Sequence, residues 1–112
     1  MVRLSEVKGV PVAFVVGDLD IANAADVFAS LKAAADGQKK FVVSLEQCTY
    51  GGSHAITTLM RLYRHVGGGL IIVCPANSQF RRVLAIAGVD SVLPIVDTVD
   101  AALNGKHPKG KR

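Results

Sequence analysis

Val10-Pro11-Val12-Ala13-Phe14-Val15-Val16 is an uncharged run containing four valines. β-Branched side chains at that density suit a pleated, extended backbone, and the lack of polar alternation marks a strand covered on both faces. Pro11 has no amide hydrogen to donate, so it belongs at the strand's start or on a sheet edge. Upstream, Val2 to Val7 alternates more weakly and reads as a short first strand. Downstream, Gly17-Asp18-Leu19-Asp20 breaks the run. Asn23 then stands where a helix cap would, ahead of an apolar stripe made by Ala24, Val27, Phe28, Leu31 and Ala35. That helix should end near Asp36-Gly37.

The same alternation continues to the end of the chain. Phe41-Val42-Val43-Ser44-Leu45 is the next strand, followed by a loop from Glu46 to Gly52 and a helix from Ser53 to His65. Ile56, Leu59, Met60 and Tyr63 recur there at helical spacing. Gly67-Gly68-Gly69 stops that helix and precedes a strand, Leu70-Ile71-Ile72-Val73. Asn77 or Ser78 caps a third helix striped by Phe80, Val83, Leu84 and Ala87, which Gly88 closes. Val92-Leu93-Pro94-Ile95-Val96 makes a short last strand, and Asp97 caps a final helix through Leu103. Strands and helices alternating over short loops predict parallel strands joined by right-handed crossovers. The expected fold is a single α/β domain over residues 1–103: a mostly parallel or mixed sheet of four to five strands, flanked by about four helices, with Phe14, Val43 and Ile72 in the core.

The 112 residues carry a net charge of +4, but Lys106, Lys109, Lys111 and Arg112 account for all of it. The rest of the chain holds nine basic and nine acidic residues. Residues 104–112 contain no apolar anchor and are read as a disordered, solubilising tail; four charges without an aromatic residue do not make a nucleic-acid site. No apolar run approaches the roughly 20 residues of a membrane span, and no secretory leader opens the chain, so a cytoplasmic protein is expected. Cys48 and Cys74 form no Cys-x-x-Cys pair and His54, His65 and His107 are scattered, so neither a metal site nor any other cofactor is expected.

Four ordered segments resemble the STAS domain family, which includes the bacterial anti-sigma factor antagonists. They are Gly17-Asp18-Leu19-Asp20; Phe41 to Leu45 with the following Glu46-Gln47-Cys48-Thr49-Tyr50; Gly68-Gly69-Leu70-Ile71-Ile72-Val73; and Arg81 to Val89 followed by Leu93-Pro94-Ile95-Val96-Asp97. The resemblance spans roughly residues 8 to 103. It implies a non-enzymatic domain that binds an anti-sigma factor, usually a serine kinase, and is switched off by phosphorylation near the start of the second helix. The family pattern there is Asp-Ser-Ser/Thr-Gly, with the second hydroxyl residue phosphorylated. Gly52, Ser53, His54 and Ala55 stand at those positions here, so the aspartate is missing and the position that should accept phosphate holds a histidine. Ser53 keeps the neighbouring hydroxyl.

The implied partner-binding residues are Asp18, Asp20, Asn23, Gly51, Gly52, Ser53, His54 and Thr57, with Ser53 a candidate phosphorylation site. An alternative in the same class is an adaptor subunit of a larger assembly such as a lipid-transport ATPase. The rival from another class is a small hydrolase using Ser53 or Cys48, because Gly51-Gly52-Ser53-His54-Ala55 superficially matches a nucleophile elbow. It requires a base, and His65 lies roughly 18 Å along the same helix.

Overall fold

A computed structural model describes residues 1–51 and 53–104, with Tyr50 described in its backbone alone. Gly52 and the expected tail from residue 105 onward lie outside the described residues. Strands β1 (Val2–Val7) and β2 (Val10–Val15) form an antiparallel hairpin. Its two-residue turn, Lys8-Gly9, takes positive φ at both positions (53° and 80°), the backbone hand that matches strand twist. Strands β4 (Phe41–Ser44), β6 (Leu70–Val73) and β7 (Ile95–Val96) add to β2 in parallel, giving the order β1-β2-β4-β6-β7. The mixed five-stranded α/β sheet is the one expected.

That order never reverses, so right-handed crossovers place all three connecting helices on one face. They are α1 (Ala24–Ala35), α2 (Ser53–Val66) and α3 (Gln79–Ile86). Strand alternation then sorts the core. Ala13, Val15, Phe41, Val43, Leu45, Leu70, Ile72 and Ile95 point to the three helices and meet Val27, Leu31, Leu59, Leu62, Phe80 and Leu84. Val12, Val42, Val73 and Val96 point the other way, where, among the described residues, the short α4 (Val99–Leu103) covers them through Ala102. Phe14 shares that thinly covered face and is half-buried, whereas Val43 and Ile72 are fully buried.

Local expectations need correction: the last strand is only Ile95–Val96, and Ala87, expected in the α3 stripe, is exposed beyond the helix end. The Glu46–Gly52 loop contains a strand, β5 (Cys48–Gly51), which pairs in parallel with β3 (Gly17–Leu19) as a separate two-stranded ribbon. Asn23 occupies the cap position of α1, but its side chain makes no cap hydrogen bond, being held elsewhere. The buried face of α2 is Ala55, Thr58, Leu59 and Leu62, one position off the expected stripe; Ile56, Met60 and Tyr63 flank it half-buried. Thr98, not Asp97, caps α4, its hydroxyl oxygen accepting from the Ala101 amide at 3.0 Å. Asp97 is drawn instead to Arg81, 2.8 Å away. For α3, Ser78 is the capping residue, accepting from the Arg81 amide at 3.0 Å.

Candidate functional site

The β3–β5 ribbon decides where the site forms. Leu19 pairs with Gly51 across the two parallel strands, so both chains leave the ribbon at the same end, one into α1 and the other into α2. Neighbouring strands lie about 4.8 Å apart, so the two exits are adjacent. A 2.6 Å hydrogen bond from the Thr49 hydroxyl to Asp18 Oδ1 ties the strands together through their side chains.

The exit toward α1 is held by its own polar groups. Asp20 Oδ1 accepts from the Ala22 amide at 3.0 Å, the turn that aspartate commonly makes with the backbone two residues on. The Asp20 amide donates to Asn23 Oδ1 at 3.0 Å, and Asn23 Nδ2 donates to the Asp18 carbonyl at 2.7 Å. The Asp20 carbonyl accepts from the amides of Asn23 and Ala24. Asp18 is exposed, while Asp20 and Asn23 are half-buried. This loop therefore has a fixed shape, with Ile21 at its tip, 72% exposed.

Across from it, Ser53 and His54 open α2, both exposed. Thr57, one turn on, is exposed and donates to the Ser53 carbonyl at 3.1 Å. Gly51 is buried, and its reason for being glycine is packing: a Cβ there would come within 2.5 to 2.8 Å of the Phe80 ring. The depression beside this contact, lined by Thr49, Gly51, Gln79, Phe80 and Val83, has room for about 30 Å³, the space of a water or two. The structure thus brings Asp18, Asp20, Asn23, Ser53, His54 and Thr57 to one end of the domain, sets Gly51 beneath them, and leaves Gly52 outside the described residues.

His65, the base that the hydrolase reading draws from α2, sits at the opposite end of that helix from Ser53. His65 Nε2 lies 3.2 Å from Asp36 Oδ1, tying the far ends of α1 and α2 together. Of the thiols, Cys48 is half-buried in β5, and Cys74 is buried just beyond β6. Burial pushes the Cys74 thiol above its ordinary pKa, against smaller opposing effects of Ser78 and Arg81. A protonated, enclosed thiol is a poor nucleophile. Among the described residues no cluster of three or more ligand-type side chains could hold a metal ion, and no helix is long and apolar enough to cross a membrane.

Sequence reasoning did not single out Ile21 or Arg61. The Arg61 guanidinium lies 4.2 Å from the centre of the Phe28 ring, across the seam between α1 and α2. The sequence signal was present: Ile21 is an apolar residue inside a polar turn, and α2 contains two arginines and no acid.

The family model of the STAS domain matches residues 1–102. The chain belongs to the STAS domain family. A STAS relative, BtrV of Bordetella bronchiseptica, assigned by name as an anti-sigma factor antagonist, is 27% identical over 103 residues, 88% of each chain. Among solved structures, an anti-sigma factor antagonist from Mycobacterium paratuberculosis superposes with a TM-score of 0.78 at 26% identity, covering 93% of this chain and 91% of that one. The Bacillus cell fate determinant SpoIIAA in its phosphorylated form superposes with a TM-score of 0.63 at 15% identity, covering 93% and 97%, a likeness of STAS fold alone.

Proposed function

We propose that this STAS protein is an anti-sigma factor antagonist, acting in the cytoplasm by reversible binding to an anti-sigma factor of the serine-kinase type and catalysing no reaction itself. The observation that carries this is the adjacency of two exits from one ribbon: the pinned Asp18–Asn23 loop and the exposed start of α2 at Ser53 and His54. The family membership and the antagonist relatives support the same reading. The sheet order has no reversal among its parallel strands, so it lacks the crevice where such sheets usually hold a small ligand.

Control falls at Ser53 or is absent. Imidazole at position 54 offers a serine kinase no alcohol oxygen, whereas the Ser53 hydroxyl is exposed in the first turn of α2, where helix amides favour an anion. A phosphate of about −2 charge there would join the carboxylates of Asp18 and Asp20 and change the field that a docking partner meets. The test is to incubate the protein with its kinase-type anti-sigma factor and ATP, then locate phosphate by mass spectrometry. We expect Ser53 or no residue to be labelled. Where Ser53 is labelled, Ser53→Ala keeps affinity and Ser53→Asp lowers it. Labelling confined to another residue, with loss of binding, overturns the proposal.

A further inference from the structure

We infer that Ile21 and Arg61 form a two-point anchor for the protein partner, and that the partner offers an apolar pocket edged by a carboxylate. The inference rests on the functional reading above and adds the chemistry of the surface the site meets.

The first point is Ile21. Single exposed aliphatic side chains are ordinary on protein surfaces and by themselves mean nothing. Here the surrounding structure differs: Asp20 and Asn23 direct their side-chain hydrogen bonds inward, onto the loop's own backbone. Asp18 is engaged by Thr49. The polar residues that first suggest partner contact thus serve to stiffen a turn. What the turn presents to solvent is an isoleucine, 72% exposed, on a backbone that has little ordering left to lose on binding.

The second point is Arg61. Helix α2 carries Arg61, Arg64 and His65 with no aspartate or glutamate, although basic and acidic residues balance over the chain outside its last nine residues. Among the described residues the ion pairs are His65 with Asp36 and Arg81 with Asp97, which leaves Arg61 without a carboxylate. It is nonetheless held in place, because its guanidinium stacks on Phe28. Phe28 lies in the second turn of α1, about 6 Å along the axis from Ala24. Helical side chains lean toward the amino terminus, so an arginine on the third turn of α2 reaches back toward the Ile21 and Ser53 end. A positioned guanidinium with no carboxylate of its own, together with a rigid apolar knob, is the pairing that a pocket with an acidic rim fits.

The two anchors make different kinetic predictions. Ile21→Ala removes buried apolar contact, so it should raise Kd about tenfold or more through faster dissociation, with the salt dependence of association unchanged. Arg61→Glu should slow association and flatten or invert its dependence on ionic strength. The experiment uses the full chain and the purified serine-kinase-type anti-sigma factors of the same genome, with interferometry at 50 to 500 mM salt and Ser5→Ala as a remote control. Both side chains are exposed, and matching melting curves exclude misfolding. Binding by the wild type with both variants unchanged leaves the functional reading standing and overturns the anchor. Equal effects of both variants on dissociation, with no change in salt dependence, overturn the charged half. Absence of binding by the wild type to every such factor overturns both the reading and the anchor.

Discussion

Cys74 illustrates how one position can be chemically quiet and thermodynamically expressive. Its carbonyl accepts from Arg81 Nη1 at 2.5 Å, and the same nitrogen reaches Asp97, so the ends of β6 and β7 are clamped to the start of α3. The thiol beneath is held neutral by burial. A folded-state pKa raised above the unfolded one stabilises the protein at pH values below the ordinary thiol range. That contribution is lost as pH rises through the raised value. Cys74→Ala should therefore be less stable than the wild type at pH 7, through lost packing, with the gap narrowing above about pH 9. Melting curves of the pair from pH 7 to 10.5 test this. A gap that stays constant would show that burial does not disfavour the thiolate here. Asp18, Asp20 and Asn23 teach a related lesson: their presence at a bend was legible in the sequence, but the destination of their hydrogen bonds was not.

The pairing of β3 with β5 was the element that the sequence concealed. Gly17-Asp18-Leu19 and Cys48-Thr49-Tyr50-Gly51 are too short and too polar for a two-residue period to register, and each exists because the other is beside it. The long apolar strands and the striped helices were legible because burial on defined faces writes a period into them. The offset stripe of α2 has the same kind of cause. Its packing angle against α1 and the sheet is a tertiary quantity, and it brings Ala55 and Leu62 inward and leaves Ile56 and Tyr63 on the flank. The Gly51–Phe80 contact joins this ribbon to α3. Gly51→Ala should destabilise the domain by about 1 to 3 kcal/mol through overpacking, since the ring it meets is itself buried. Adding Phe80→Leu should relieve part of that loss, and a double-mutant cycle by denaturant titration measures the coupling. Strictly additive losses would mean that the two residues do not share the contact.

At the scale of the whole molecule, the sheet has one face roofed by three helices and another roofed by five residues of α4. Among the described residues, every buried core residue lies between Val12 and Ala102. Residues 105–112 offer no apolar anchor in their sequence, so their deletion is expected to leave the melting temperature within about 2 °C of the full chain, on the scale of ordinary surface changes. A larger drop would show that the segment contributes to folding. The two borders of the sheet have a different consequence. β7 is two residues long, too short to template a foreign strand. β1 leaves Arg3, Leu4, Ser5 and Glu6 exposed along the opposite border, with Lys8 at its turn. Charges on an edge oppose the addition of another chain's strand. A protein that works by mass action must be present in amounts comparable to its target. Blunted borders let it accumulate to such levels without seeding strand-by-strand polymerisation.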